Sequence, residues 1–141
     1  MSGLFGNRAS LSRLETLILD EVRARLDVDI FVPWDRQVAS INKVQRLPDG
    51  VEVNFYRMQG GKVRLDPAIA FPNQAEELLV AKVTPNLEPQ RLVAKVWAVN
   101  GYLFSIEYVG GSKYFEEALG MNPLPEFEAH CELLADLSRS P

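Results

Sequence analysis

The sequence predicts an α+β domain: an antiparallel sheet of about five strands packed by an N-terminal and a C-terminal helix. Three observations favour this class. Apolar residues recur at helical spacing near both ends of the chain, alternating residues between them indicate strands, and the turn sequences "PDG" and "NG" join those strands. Helices segregated from an antiparallel sheet define the α+β class. The 141 residues suit one domain, 1–141, and we expect residues 1–10 to be flexible.

The first element is a helix in "SRLETLILDEVRARL". Ser12 is its expected N-cap, and Glu15 three residues later completes a capping box. One apolar stripe contains Leu14, Leu17, Ile18, Val22 and Leu26. The next segment, "DVDIFVPWDRQ", is predicted to be an irregular bend, because Pro33 disfavours helical geometry in the residue before it.

A three-stranded meander is predicted over residues 38–65. Its first turn is "PDG", and pairing Leu47 with Val51 separates an apolar face from a polar one. For the turn at "GG" we expect three loop residues, since a two-residue turn would set Arg57 opposite Arg64. The following segment, residues 74–83, has a helix-like start at Asn73, and "LLVAKV" is also strand-like. We expect a helix there, with a strand as the alternative.

The segment "RLVAKVWAVNGYLFSIEYV" predicts a hairpin, because Asn-Gly favours a type I′ turn. The register that follows pairs Trp97 with Phe104. One face then carries aromatic rings and the other carries smaller apolar residues, and a strand pair apolar on both faces belongs at a sheet centre or an interface. We expect the ring-bearing face to be core and the small-residue face to be uncovered. The chain closes with a predicted helix, "LPEFEAHCELLADL", which begins near Pro125. The preceding "GGSKYFEEALGMNP" has room for one or two further helical turns.

Composition limits the function classes. Net charge is −4, and it is uneven: residues 1–70 hold ten basic and nine acidic residues, whereas residues 71–141 hold five and ten. This layout disfavours nucleic-acid binding, which uses a broad basic field, and it suits a protein partner or self-association as a homodimer. The apolar runs are too short to span a bilayer, which argues against a membrane partner. A single cysteine and the absence of a signal-peptide pattern predict a cytoplasmic protein.

Residues with catalytic or metal-binding chemistry are sparse. His130 and Cys131 are the only His and Cys, and adjacent residues on a helix point about 100° apart, so neither a metal site nor a Cys–His nucleophile pair is expected. The "GGSK" stretch lacks phosphate-loop spacing. Glu107, predicted opposite Ala94 on a mainly apolar face, is a candidate acid or base without a second carboxylate. We therefore predict no enzyme activity and no cofactor.

Two aromatic residues invite a second interpretation. Trp34 is expected to plug a core edge, with an exposed partner anchor as the alternative. Tyr56 lies among basic residues on the polar hairpin face, a pattern that single-stranded nucleic acid can also use.

The preferred hypothesis is a non-catalytic protein-interaction module of the chaperone, adaptor or neutralising-partner type. Its candidate interaction residues are Trp34, Tyr56, Leu92, Val96, Leu103 and Glu107. The alternative is a small-ligand-binding module, with a pocket beneath the hairpin of residues 91–109 and against the first helix.

Overall fold

The computed structural model describes residues 11–87, 90–121 and 128–140, which form three helices, a six-stranded antiparallel sheet and a separate two-stranded sheet. The helices are α1 (Arg13–Arg23), α2 (Val28–Ser40) and α3 (Ser112–Leu119). The strands are β1 (Lys43–Arg46), β2 (Glu52–Tyr56), β3 (Met58–Gln59), β4 (Lys62–Val63), β5 (Leu78–Leu87), β6 (Gln90–Val99), β7 (Tyr102–Gly110) and β8 (Glu128–Leu133). The α+β prediction is confirmed, with six strands in the large sheet where about five were expected. The expected flexible start, residues 1–10, lies outside the described residues.

Strand order in the large sheet is β1-β2-β7-β6-β5-β8, so β6 and β7 are central. Helix α1 packs on β5 and β8, α2 on β7, and α3 on β6. The side chains that these helices bury share one hydrophobic core with alternate residues of the central strands. The helices therefore cover one face of the sheet, which we call the inner face, and we call the opposite side the outer face.

Helix α1 begins as the sequence predicts. The backbone N–H of Glu15 donates to Ser12 Oγ at 3.1 Å, and the Ser12 N–H donates to Glu15 Oε1 at 2.8 Å. These two bonds satisfy donors that the first turn would otherwise leave free. Leu14, Ile18 and Val22 are fully buried, which confirms the apolar stripe.

The predicted bend at residues 27–37 is wrong, because this segment forms helix α2 with Pro33 inside it. Ile30, Trp34 and Val38 lie four residues apart and are all buried. Burial of this stripe outweighs the proline, which removes one helical hydrogen bond and strains the turn before it.

The meander is only partly correct. The β1–β2 hairpin forms, but its register differs from the expected Leu47–Val51 pairing, because Arg46 pairs with Val53; Val51 is 49% exposed. The "GG" turn has two residues, with Met58 opposite Val63, and the Arg64 N–H donates to the Arg57 carbonyl at 2.7 Å. The expected three-residue loop is therefore wrong. Strands β3 and β4 leave the large sheet and form their own ribbon, in which Val63 and Leu65 are exposed.

Two predicted helices are strands. Residues 78–87 form the long strand β5, so the alternative that the sequence left open is the correct one. Residues 128–133 of the predicted C-terminal helix form the edge strand β8, which pairs with β5 from Ala81 to Asn86. The start of that predicted helix, including Pro125, lies outside the described residues. The further helical turns expected after "GG" are confirmed as α3.

The Asn-Gly hairpin is confirmed at its turn and shifts register one step later. Val99 pairs with Tyr102, and Asn100 and Gly101 both have positive φ. A β-bulge then places Trp97 opposite Ser105, so its predicted pairing with Phe104 is wrong. The extra residue in β7 also places Ile106 and Tyr108 on the inner face, opposite to the face that carries the rings of Trp97 and Phe104.

Candidate functional site: the outer face of the sheet

The two faces of the central hairpin differ in burial, in the opposite sense to the prediction. In β6 the small residues Leu92, Ala94, Val96 and Ala98 are at most 1% exposed, whereas Val93, Lys95, Trp97 and Val99 are half-buried. The small-residue face is therefore the core and the face bearing Trp97 is the outer face. No helix of the described residues covers that outer face.

Five charged residues cross the outer face in one line, one on each of five adjacent strands. Register places Glu52 beside Glu107, Glu107 beside Lys95, Lys95 beside Lys82, and Lys82 beside Glu132. We call this line the charge row. The signs along it run minus, minus, plus, plus, minus, so two of its four cross-strand neighbours are like-charged.

One hydrogen bond fixes a member of the charge row. The Trp97 indole N–H donates to Glu107 Oε1 at 3.1 Å. No ion pair between described residues involves Glu52, Lys82 or Lys95. These three side chains are half-buried, and none of them has an oppositely charged group of the described residues within ion-pair distance.

Aromatic rings lie next to the charge row. Tyr56 and Phe104 meet edge to face with centroids 5.7 Å apart, and Lys43 Nζ lies 5.9 Å from the Tyr56 centroid. Two open grooves flank Phe104. One, of about 240 Å³, is lined by Glu52, Glu77, Trp97, Val99, Phe104, Ser105 and Glu107. The other, also about 240 Å³, is lined by Phe55, Tyr56, Arg57, Val63, Leu65, Val99, Asn100, Tyr102, Leu103 and Phe104.

Neither groove is the pocket expected from the sequence. The rings of Trp97 and Phe104 lie on the opposite side of the sheet from α1, so no pocket forms between them and that helix. The space beneath the hairpin is filled by core side chains such as Ile18 and Val96, both fully buried. The grooves are also smaller than the 300–1,000 Å³ of most small-molecule sites.

The structure separates the six predicted interaction residues into two groups. Leu92, Val96 and Leu103 are 0% exposed, so the expectation that they form an uncovered face is wrong. Trp34 is 1% exposed and stacks on Phe71 at a centroid distance of 6.1 Å, which supports the core interpretation and not the exposed anchor. Tyr56 and Glu107 are half-buried on the outer face and stay candidates.

The residues considered for metal or nucleophilic chemistry do not converge. Cys131 is buried and His130 is exposed, as expected for neighbours on a strand that point to opposite faces. Burial raises the pKa of the Cys131 thiol, which makes it a poorer nucleophile. Among the described residues no group of three or more His, Cys, Asp or Glu side chains could hold a metal ion. None of the helices described is long and apolar enough to cross a membrane.

A polar cluster that the sequence did not predict lies under α1 and α3. Arg46 donates to Glu15 through Nε at 2.9 Å and through Nη2 at 2.8 Å, while Ser12 Oγ donates to Glu116 Oε2 at 2.9 Å. Burial raises the pKa of Glu116 and of Tyr108. The Tyr108 hydroxyl has no hydrogen-bond partner among the described residues. The capping pattern identified Glu15, but no sequence signal connected it to Arg46. Because Glu15 is 1% exposed and bound on both sides, the cluster joins helix to sheet and does not present a reactive group.

Comparison with known proteins adds no family. No family model, curated protein or solved structure matches this chain.

Proposed function

We propose that the chain is a non-catalytic protein-interaction module that binds its partner through the outer face of the large sheet. The observation that carries this proposal is the composition of a face that no described helix covers. Antiparallel sheets commonly leave one face in water, and such a face then alternates with polar residues. Here the outer residues of the central strands include Val93, Trp97, Val99 and Phe104, together with Val109, which is 55% exposed.

The chemistry of this face fits a protein partner better than a small molecule. Trp and Tyr side chains dominate binding energy at protein interfaces, and apolar residues surrounded by charges are typical of such surfaces. The grooves beside Phe104 are small, about 240 Å³ each, whereas the six-stranded sheet offers a broad contact. The unneutralised charges of the charge row supply specificity, because only a complementary surface can desolvate them without loss.

The test is a capture experiment with matched double variants. Val93→Arg with Val109→Arg puts two charges on the outer face, where these residues lie directly opposite each other. Val28→Arg with Val32→Arg makes the same change on α2, where the valines are 72% and 60% exposed. The tagged wild-type chain and both variants are incubated with native lysate and with an untagged copy of the chain, and bound proteins are identified by mass spectrometry.

We expect the wild-type chain and the α2 variant to retain the same stoichiometric protein partner, a second copy included, and the outer-face variant to lose it. Circular dichroism on both variants checks that the fold is intact. Equal binding by all three proteins, or equal loss in both variants, would contradict the proposal that the outer face is the binding surface.

A further inference from the structure

We infer that the partner of the outer face is a second copy of the chain, with the two outer faces stacked on each other. The two-fold axis that relates the copies lies midway between the two sheets, runs parallel to the strands and passes over the gap between β6 and β7. The inference rests on the proposed function and names the partner of the same surface. It follows from the order of signs in the charge row.

In a single chain two of the four cross-strand pairs in the charge row are unfavourable. Glu52 lies directly opposite Glu107, and Lys82 lies directly opposite Lys95. Like charges directly opposite each other destabilise an antiparallel pair, and both pairs are half-buried on the same face. A surface that places opposite charges over these positions relieves both repulsions at once.

The two-fold operation supplies that surface. An axis between β6 and β7 exchanges β7 with β6 and β2 with β5. It therefore sets Glu107 over Lys95 of the second copy, and Glu52 over Lys82 of the second copy. Symmetry repeats both contacts, so four pairs of opposite charge form from residues that stand beside like charges in one chain. An axis one strand further in either direction superposes like charges instead.

The same axis matches the neighbouring residues. Val93 and Val109 are cross-strand partners, so the axis sets Val93 over Val109 of the second copy and the reverse, which gives an apolar patch on one side of the charge row. Trp97 and Ser105 are also cross-strand partners, so each indole of the dimer lies over the position of Ser105 in the other copy, a small residue that is 5% exposed. Large against small side chains is the arrangement that lets two sheets approach closely.

The dimensions suit a stable dimer. Strands β5 and β6 have ten residues each and β7 has nine. With about 3.3 Å per residue and about 4.8 Å between strands, these three strands present roughly 450 Å², and all six present roughly 700 Å². A standard interface buries about 800 Å² on each partner. Packed sheets lie about 10 Å apart, a gap that a lysine and a glutamate side chain bridge together.

The experiment measures self-association by sedimentation equilibrium of the full chain and of charge-reversal variants. Variant A carries Lys82→Glu with Lys95→Glu, and variant B carries Glu52→Lys with Glu107→Lys. Each places like charges at all four contacts, so we expect each to self-associate at least ~100-fold more weakly than the wild type. A mixture of A and B restores four opposite pairs and is expected to form a heterodimer. The chain with all four substitutions is expected to form a homodimer again.

The control is Lys62→Glu with Lys113→Glu, which makes the same change in net charge as variant A at exposed lysines on β4 and α3. We expect this variant to associate like the wild type. Heterodimer formation between A and B also shows that both variants are folded, and urea unfolding of each checks this separately.

Three results would overturn the inference. The first is a wild-type chain that stays monomeric at about 1 mM, which would mean a dissociation constant weaker than the millimolar range. The others are dimers that persist in both A and B, and a mixture of A and B that does not associate. Failure of this inference can be distinguished from failure of the proposed function. If the wild type is monomeric but a different captured protein is lost with Val93→Arg and Val109→Arg, the outer face binds that protein and only the second copy is wrong.

Discussion

Arg57 and Gln37 are buried polar residues that connect helix α2 to strand β7. The Gln37 side chain donates to the Gly101 carbonyl at 3.0 Å and accepts from the Leu103 N–H at 2.8 Å. Arg57 donates to the Leu103 carbonyl and to the Gln37 carbonyl. Burial lowers the pKa of Arg57 to about 10, and the carbonyl oxygens around it solvate the guanidinium. These bonds hold the Asn-Gly turn, and with it the start of the outer face, against α2.

Replacing Arg57 by alanine tests this connection. Arg57 is 6% exposed, so the change removes a buried donor from the Leu103 carbonyl and from the Gln37 carbonyl, of which the latter keeps its bond from Ser40 Oγ. We expect Arg57→Ala to lower the free energy of unfolding by about 2–4 kcal/mol in urea denaturation. Arg64→Ala, at an exposed arginine in the same ribbon, is the control and is expected to change it by less than about 0.5 kcal/mol. Equal losses in the two variants would show that the buried bonds do not stabilise the fold.

Glu116 gives the fold a pH dependence with a definite sign. Burial raises its pKa above the ordinary value of 4.5, so the folded chain holds this proton more tightly than the unfolded chain. Stability is therefore lost as pH rises from 4.5 through the higher folded value. We expect Glu116→Gln, which keeps an acceptor for Ser12 Oγ, to become more stable relative to the wild type between about pH 4 and pH 7.

The measurement is urea unfolding across this pH range, with Glu117→Gln at the exposed neighbour as the control. The unfolding free energy of Glu116→Gln minus that of the wild type is expected to increase as pH rises. A value that stays constant or decreases would contradict the expected role of burial.

At the level of elements, local signals predicted what local interactions determine. The capping box at Ser12 and the Asn-Gly turn both form, because each is a short-range hydrogen-bond or backbone preference. The strand β8 was not predictable in this way. Cys131 and Leu134 lie at helical spacing, yet the exposed edge of β5 offers backbone partners along six residue positions, and pairing there outweighs the local preference. The β-bulge beside Trp97 has no distinct local signal, so the register after it could not be derived.

The turn that joins β6 to β7 is sterically demanding at Gly101. Its φ is +94°, and an added Cβ would lie 2.9 Å from Gln74 Cγ and 3.2 Å from the Phe71 carbonyl oxygen. The Gly101 carbonyl also accepts the Phe71 N–H at 2.8 Å, which leaves the backbone little room to shift. We expect Gly101→Ala to cost about 2–3 kcal/mol of unfolding free energy, from the left-handed φ together with the close contact.

The matched variant is Gly61→Ala, at a φ of +79° with no atom within 4 Å of the added Cβ. It isolates the backbone contribution, for which we expect about 1 kcal/mol in the same denaturation experiment. If Gly61→Ala costs as much as Gly101→Ala, the close contacts at Gly101 with Gln74 and Phe71 have no measurable effect.

On the scale of the whole molecule, the sequence indicated two apolar faces on the central hairpin but not which one the helices cover. Alternation along β6 fixes which residues share a face, and it carries no information about the element that packs there. The helices cover the small-residue face because large core side chains come from outside the central strands. Trp34, Phe71 and Phe115 are all at most 1% exposed and belong to the same core cluster as Ala94 and Ala98. Bulky rings on β6 and β7 would compete with them for that volume.

The two tryptophans distinguish core from outer face in one measurement. Trp34 is 1% exposed and stacks on Phe71, so Trp34→Ala is expected to cost about 3–5 kcal/mol of unfolding free energy. Trp97 is half-buried and its indole bonds Glu107, so Trp97→Ala is expected to cost only about 1–2 kcal/mol. Both are measured by urea unfolding of dilute protein, because self-association would add apparent stability to the wild type. For association through the outer face, measured at higher concentration, we expect the opposite ranking of the two variants. Trp97→Ala weakens the outer-face complex, whereas any folded Trp34 variant retains it. A Trp97→Ala variant as unstable as Trp34→Ala would mean that the ring-bearing face is core after all, and the outer face would no longer be available to a partner.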